Sequence, residues 1–326
     1  MSWSASTKAP GSEKALAQTY LLLLLTILFW GGTAVAGKFL LQDVPPLTAG
    51  VFRYGGTVLL LLLLFRHRLP APRALPVRDR WLLVWIGIVG TFLNHIGFFV
   101  GLVFAPATHA SLITNTTSPV WATLLAVRLG RERLARLQAV GLALCGVGVL
   151  LVMHPAQVLS GQGLGVLVGD GLFILVGLSW GVYSYLSTLV MRRLAPGITL
   201  TFGMAVGTLC LIPTALIERP WATVRFAHAA AWAGLAFLIV ACTLLSYLWW
   251  NMALAKVGAS RTAVFSNLVP LVGILLAWLF LGERLAPIQL LGGLLAVAGV
   301  VACQRSGARG PGRLGSHARE QRPGGA

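Results

Sequence analysis

GRERLARLQAVGLALCGVGV, residues 130–149, and LGERLAPIQLLGGLLAVAGV, residues 281–300, are two versions of one segment. At a shift of 151, Glu132, Arg133, Leu134, Ala135, Gln138, Gly141, Leu144, Gly148 and Val149 fall on Glu283, Arg284, Leu285, Ala286, Gln289, Gly292, Leu295, Gly299 and Val300, and Pro119 falls on Pro270. Nearer the start of each half the shift is 150, with Trp30-Gly31 on Trp180-Gly181 and Pro46 on Pro196. Self-similarity at a fixed spacing marks a duplicated structural unit.

The unit is built for lipid. Of 326 residues, 57% are hydrophobic and 10% charged, with a mean hydropathy of +0.84. A helix needs about 20 apolar residues to cross a hydrocarbon layer of about 30 Å. Ten apolar runs meet or approach that length: 19–40, 47–65, 81–103, 107–128, 135–153, 166–190, 198–217, 231–254, 259–281 and 287–303. Backbone N–H and C=O groups in lipid must be satisfied within each crossing, which favours a helix bundle, and nothing in the pattern suggests a barrel. The fold class expected is therefore all-α: a polytopic membrane protein with ten transmembrane helices.

Ten runs divided between two copies give five crossings each, and five is odd. The second copy then starts on the opposite side of the membrane, so the two five-helix repeats, 19–153 and 166–303, are inverted with respect to each other. Charge agrees with this topology. Of the 25 lysines and arginines, the clusters around 66–80, 128–136, 192–193 and 305–322 fall on one side with Lys8 and Lys14, whereas the other side holds Arg219, Arg225 and Arg284. By the positive-inside rule both termini are cytoplasmic. The same distribution explains the net charge of +17 without nucleic acid as a partner. Arginines outnumber lysines 21 to 4, the bias of a GC-rich bacterial genome, which places the chain in an inner membrane.

The first run lacks a small-residue cleavage site and reads as a retained helix behind a cytoplasmic segment, 1–18. Residues 304–326, rich in Gly, Arg, Ser and Pro, read as a disordered basic tail in the cytoplasm. Cys145, Cys210, Cys242 and Cys303 fall singly in different helices, and the acids at 13, 43, 79, 132, 170, 218, 283 and 320 are scattered. No catalytic set, metal site or cofactor is expected.

The polar run Thr114-Asn115-Thr116-Thr117-Ser118, ending in Pro119, stands at the centre of the fourth apolar run, and Ser266, Asn267 and Pro270 occupy related positions in the ninth. Proline removes a donor and frees a carbonyl. Freed backbone groups are tolerated in a membrane where protein or a water-filled cavity meets them. Two helices broken at Pro119 and Pro270 around a central cavity is one reading; a packing kink, with Thr and Ser bonding back one turn, is the other.

WGGTAVAGKF at 30–39, Pro46, Arg53 and the paired Gly/Glu/Arg/Leu motifs at 132 and 283 resemble EamA-type permeases of the drug/metabolite transporter superfamily. The resemblance covers residues 19–303. It implies ten helices with cytoplasmic termini, a cavity formed largely by helices 1, 3, 4, 6, 8 and 9, and an export role common in the family, whose members move amino acids, purines, other metabolites and drugs.

The expected function is a secondary transporter that moves a small metabolite such as an amino acid, or a drug, by alternating access in the export direction. A receptor or scaffold would bind without flux, and an integral-membrane enzyme would need a clustered catalytic set. Candidate substrate-binding residues are Trp30 and Trp180, mid-depth indoles able to stack and to donate one hydrogen bond, with plain core packing as the alternative. Asn94 and His95 lie mid-depth in helix 3, where an ionisable group faces a pathway or a neighbouring helix. Arg53 suits a carboxylate or phosphate, or an architectural salt bridge. Tyr183, Tyr247 and Asn251 bring polar tips, the last two on one helical face, and Asn115 and Asn267 accompany the prolines. Glu132 and Glu283 read as structural, each favouring the N-terminus of the next helix. Small-xxx-small spacings at Gly97–Gly101, Gly177–Gly181 and Gly203–Gly207 permit close approach within the bundle or between protomers of a homo-oligomer.

Overall fold

A computed structural model describes residues 10–128, 135–153, 163–257 and 265–307, and every regular element among them is helical. Helices α1 (Pro10–Gly31) and α2 (Thr33–Leu40) run end to end, followed by α3 (Pro46–Phe65). Next, α4 (Val77–Gly87) and α5 (Asn94–Phe104) flank a π-helical segment, Ile88–Leu93. Then come α6 (Ala107–Arg128), α7 (Arg136–Met153), α8 (Leu164–Val190), α9 (Pro196–Ile217) and the single turn α10 (Pro220–Thr223). A second π-helical segment, Leu238–Leu245, joins α11 (Ala229–Phe237) to α12 (Ser246–Val257), and α13 (Val269–Leu281) and α14 (Pro287–Gly307) complete the chain.

Among the described residues seven stretches are long and apolar enough to cross a membrane: Leu16–Leu40, Pro46–Phe65, Val77–Phe104, Arg136–Met153, Leu164–Ser187, Pro196–Ile217 and Ala229–Ala253. The protein is a multi-pass membrane protein. The apolar helices α13 and α14 are shorter in their apolar part, and α6, although 22 residues long, is diluted by its polar centre. Helix α1 begins at Pro10, ahead of the first apolar run, and α14 runs to Gly307, past the end of the last one. Helical hydrogen bonding propagates into polar residues with adequate helix propensity, which a hydropathy pattern does not register. The rest of the expected tail, and Glu132 with its link, lie outside the described residues.

The repeat is visible in the packing. Helices α7 and α14 make the most extensive contact among the described elements. Gly141 meets the Gly299 carbonyl and Gly148 meets that of Gly292, so early residues of one helix face late residues of the other. The pair is antiparallel, and the repeat alignment exchanges the two contacts. The Ala135 amide donates to Gln138 Oε1 at 2.9 Å, and the equivalent Ala286 amide donates to Gln289 Oε1 at 2.9 Å. Both π-helical segments start at equivalent positions, Ile88 and Leu238. All three small-xxx-small spacings are used inside the chain: Gly97 and Gly101 against α8, Gly177 and Gly181 against α6, and Gly203 and Gly207 against α4 and the segment after it.

Glu283 does not serve the next helix. Its carboxylate accepts the Ala107 and Thr108 amides, both at 2.8 Å, at the N-terminus of α6, across the repeat boundary. Glu218 does the same for α3, taking the Leu47 and Thr48 amides at 2.9 and 2.7 Å. Helix N-termini favour anions and leave amides without intrahelical partners; neither assignment follows from sequence neighbours, because both donors lie more than a hundred residues away.

Two further bridges tie links together. Asp79 pairs with Arg193 at 2.9 Å. Asp43, 2% exposed, accepts the His228 amide at 2.8 Å and meets His228 Nδ1 at 2.7 Å. Burial works to raise the Asp43 carboxyl, but the His228 amide and imidazole outweigh it and hold the group below its usual value of 3.8. A carboxyl lowered on folding contributes stability that is present above the unfolded value and lost as pH falls through the folded one. We expect Asp43→Asn to lower the thermal unfolding midpoint in detergent at about pH 7, with the gap to the unsubstituted protein closing below about pH 4. A gap that stays constant through the acid range would show that no proton is linked to this contact.

Candidate functional site

A cavity of about 230 Å³ opens between the two halves, walled by α1–α3, α5, α6, α8, α12 and the chain at Ser266 and Val269. Numbered as apolar runs these are 1, 3, 4, 6, 8 and 9, the set that the resemblance implied, and the second run, α3, in addition. Trp30, Arg53, Asn94, His95, Asn115, Pro119, Trp180 and Tyr247 all line it. The aromatic side is a cluster: the Trp30 ring lies 6.1 Å from Trp180, 5.8 Å from Tyr247 and 5.0 Å from Trp250, and Trp180 lies 5.8 Å from Tyr247. The Trp30 indole donates its one N–H to the Cys242 carbonyl at 3.1 Å. Its face is what it has left to offer; the expected hydrogen bond to a ligand is already spent inside the protein.

Arg53, also in the wall, is 7% exposed, and its Nε donates to Thr243 Oγ1 at 3.2 Å. The guanidinium carbon lies 5.0 Å from the Tyr54 ring centre and 5.9 Å from that of Phe99. Among the described residues no carboxylate stands within salt-bridge distance of it. The architectural salt bridge that was the alternative for Arg53 therefore does not form among the described residues; the buried acid Asp170 bonds His109. His95 is buried, stacked on Phe99 at 4.3 Å, with Nε2 2.9 Å from the Pro46 carbonyl. A carbonyl only accepts, so Nε2 carries the proton and Nδ1 is a bare acceptor, buried without a partner among the described residues. Gly50 makes room for this ring: a Cβ there would lie 2.5 Å from the imidazole.

The polar run of α6 divides its labour. Thr116 and Thr117 bond back to the Leu112 and Ile113 carbonyls at 2.7 Å, whereas Thr114, Asn115, Ser118 and Pro119 line the cavity. Helix α6 continues through Pro119, so the expected break there is a local loss of one hydrogen bond, from position 119 to the Asn115 carbonyl. In the second half the interruption is a turn ahead of α13, and Pro270 sits in the first turn of that helix, where a missing N–H costs nothing. Pro270 is buried away from the cavity wall.

Three expected site residues lie elsewhere. Asn251 does share a face with Tyr247, but its Nδ2 bonds the Tyr247 carbonyl at 2.7 Å and it does not reach the wall. Asn267 sits in the turn before α13, outside the lining. Tyr183 packs against Trp180 at 5.0 Å and over Gly90, behind the cavity. Tyr54 and Trp250, by contrast, line it.

The π-helical segments shape the wall. Each leads directly into lining residues, Asn94-His95 after one and Tyr247 after the other. Thr243 and Ser246 hydroxyls donate to carbonyls five residues back, Leu238 and Ala241, at 2.7 Å, matching the widened turn. Such bulges re-aim side chains and concentrate at functional sites.

Comparison with known proteins agrees with this architecture. The model of the EamA-like transporter family matches residues 17–154 and 167–303. The uncharacterized transporter YyaM of Bacillus subtilis is 26% identical over 86% of this chain and 92% of its own length. A "Probable amino-acid metabolite efflux pump" of Escherichia coli is 28% identical over 86% of this chain and 92% of its own, and one of the same description from Salmonella typhimurium is 27% identical over the same shares. A crystal structure with 22% identity superposes with a TM-score of 0.59, covering 90% of this chain and 98% of the other, which speaks for the fold alone. Matched over most of its length in two successive copies, the chain belongs to the EamA-like transporter family.

Proposed function

We propose that this protein is an alternating-access exporter of small carboxylate-bearing metabolites, amino acids foremost. Arg53 carries the reading. An unpaired cation in a low-dielectric wall is costly, and among the described lining residues there is no acid to offset it. A cavity that keeps such a group is matched to an anion, with the guanidinium fork suited to a carboxylate. The faces of Trp30, Trp180, Tyr247 and Trp250 then suit the apolar remainder of the substrate. The relatives described as amino-acid metabolite efflux pumps support both the cargo and the direction.

The mechanism rests on ten transmembrane helices in two inverted repeats, 19–153 and 166–303, in a bacterial inner membrane, with both termini cytoplasmic. The antiparallel, repeat-exchanged contacts of α7 and α14 support the inversion, and the one-sided basic clusters support the orientation. Inverted repeats place the substrate near the midplane between the halves and let one or the other end close. Counterflow of labelled amino acids in proteoliposomes tests the proposal. We expect saturable exchange for at least one amino acid and roughly tenfold or weaker exchange for its decarboxylated amine, the lower end of what a lost charge-assisted hydrogen bond costs. Equal exchange of acid and amine, or none of any carboxylate, would overturn it.

A further inference from the structure

Away from the cavity, His109 of α6, Asp170 of α8 and Gln289 of α14 form a buried polar chain that the transport site does not use. His109 Nδ1 lies 2.9 Å from Asp170 Oδ1, and His109 Nε2 lies 2.9 Å from Gln289 Nε2. Asp170 is 0% and His109 4% exposed. The Gln289 amide is oriented by two other bonds: Oε1 accepts the Ala286 amide at 2.9 Å, and Nε2 donates to the Val152 carbonyl of α7 at 3.0 Å. Its second hydrogen therefore goes to His109 Nε2, which must be a bare acceptor. The ring proton is on Nδ1 and is donated to Asp170 Oδ1. Asp170 Oδ2 is buried with no hydrogen-bond partner among the described residues.

This proton count leaves a carboxylate in a buried site with one donor for two oxygens, an arrangement that costs free energy. A proton on Oδ2 removes the charge and leaves the His109 bond intact. The charged neighbours are few. Glu283, on the link ahead of α14, is held by the Ala107 and Thr108 amides next to His109, and Lys38 of α2 senses Glu283. Helix α13 carries no ionisable side chain, α5 brings Ala105 and Gly101 against α8, and α7 brings the Val152 carbonyl.

The repeat makes the pair informative. Its equivalents in the other half are Ser260 for His109, Tyr20 for Asp170 and Gln138 for Gln289, so the repeat-related positions hold no acid and no imidazole. In a carrier made of two inverted copies the two end-closed states are near equivalents, and a ligand shifts their balance only where they differ. We propose that Asp170, bonded through His109, is a proton-binding site that controls closure of the end where α6, α8 and α14 meet, which deepens the transport reading above and rests on it. A proton from water forms an O–H bond at Asp170 Oδ2 and this end closes over a neutral pair; opening hydrates the carboxyl and returns the proton to water.

Two measurements test this. Infrared difference spectra of the purified protein between acid and alkaline buffers need no substrate: we expect one component of the protonated-carboxyl band to be missing from Asp170→Asn. Counterflow of labelled amino acids as a function of pH is the second. The unsubstituted protein should change by up to about tenfold per pH unit, the limit for one linked proton, and Asp170→Asn should flatten that profile. A carboxyl band that Asp170→Asn leaves undiminished, or an unaltered pH profile in the variant, would each overturn the site. Absence of counterflow for every amino acid would overturn the transport reading instead, with the infrared result still deciding the proton site.

Discussion

Arg53→Met is expected to cut exchange of a carboxylate-bearing substrate by roughly 10- to 150-fold while leaving the fold as stable as before, or more so. The first half follows from the energetics of a hydrogen bond to a charged group, about 1.5–3 kcal/mol, with each 1.4 kcal/mol worth about tenfold. The second half follows from the absence of a carboxylate partner among the described residues. Removing one member of a buried ion pair strands the other, but here no partner charge would be stranded, and a buried charge replaced by an apolar side chain of similar length is often neutral or stabilising. The variant gives up one bond, from Nε to Thr243 Oγ1. Arg53→Lys keeps the charge but loses the fork and its stacking on Tyr54, so it should fall between the two proteins in flux. Thermal unfolding in detergent and counterflow, measured on the same preparations, separate the effects. Unaltered flux in Arg53→Met would remove Arg53 from substrate recognition, and a collapse of stability with flux would make it the architectural clamp that its position in α3 also allowed.

Much of this wall is legible in the sequence. Trp30, Trp180, Asn94, His95 and Asn115 stand out because a polar or amphipathic side chain at mid-depth must be satisfied by something other than lipid. The same rule misled for Asn251, which is satisfied one turn back by the Tyr247 carbonyl. Depth says that a polar group needs a partner; it does not say which. The duplicated segment at 130 and 281 exposed the repeat, and the antiparallel contacts of Gly141 and Gly148 with α14 are its physical counterpart. The π-helical segments were invisible, because IVGTFL and LIVACTLL share no side-chain signature and the widening is a backbone property. His109 was missed for a different reason. It sits three residues into α6, where a histidine reads as an end residue near water, and it acquires meaning only when α8 and α14 bring Asp170 and Gln289 to its two nitrogens.

The second large effect is expected far from the cavity. A Cβ at Gly148 would lie 2.4 Å from the Ala296 nitrogen and 2.5 Å from the Gly292 carbonyl oxygen; at Gly299 it would lie 2.5 Å from the Gly141 carbonyl oxygen and 2.6 Å from the Cys145 nitrogen. These neighbours are backbone atoms, so no rotamer change relieves them and the two helices must separate. Helices in lipid lack a hydrophobic force holding them together and depend on close packing of small residues. Overpacking costs about 1–3 kcal/mol, and a valine adds two methyls beyond the Cβ, so each of Gly148→Val and Gly299→Val should fall at the upper end of that range. Gly148 and Gly299 are repeat equivalents in matching surroundings, so the two losses should be alike. Gly146→Val, on the same helix as Gly148 with nothing within 4 Å of its Cβ, should cost little. Among the described residues neither α7 nor α14 contributes to the cavity wall, so the protein that still folds should keep its substrate preference while its unfolding midpoint drops. Unequal losses at the two glycines would show that the α7–α14 contact lacks the two-fold character on which an inverted carrier depends, and an altered preference would mean that these helices do more than hold the halves together.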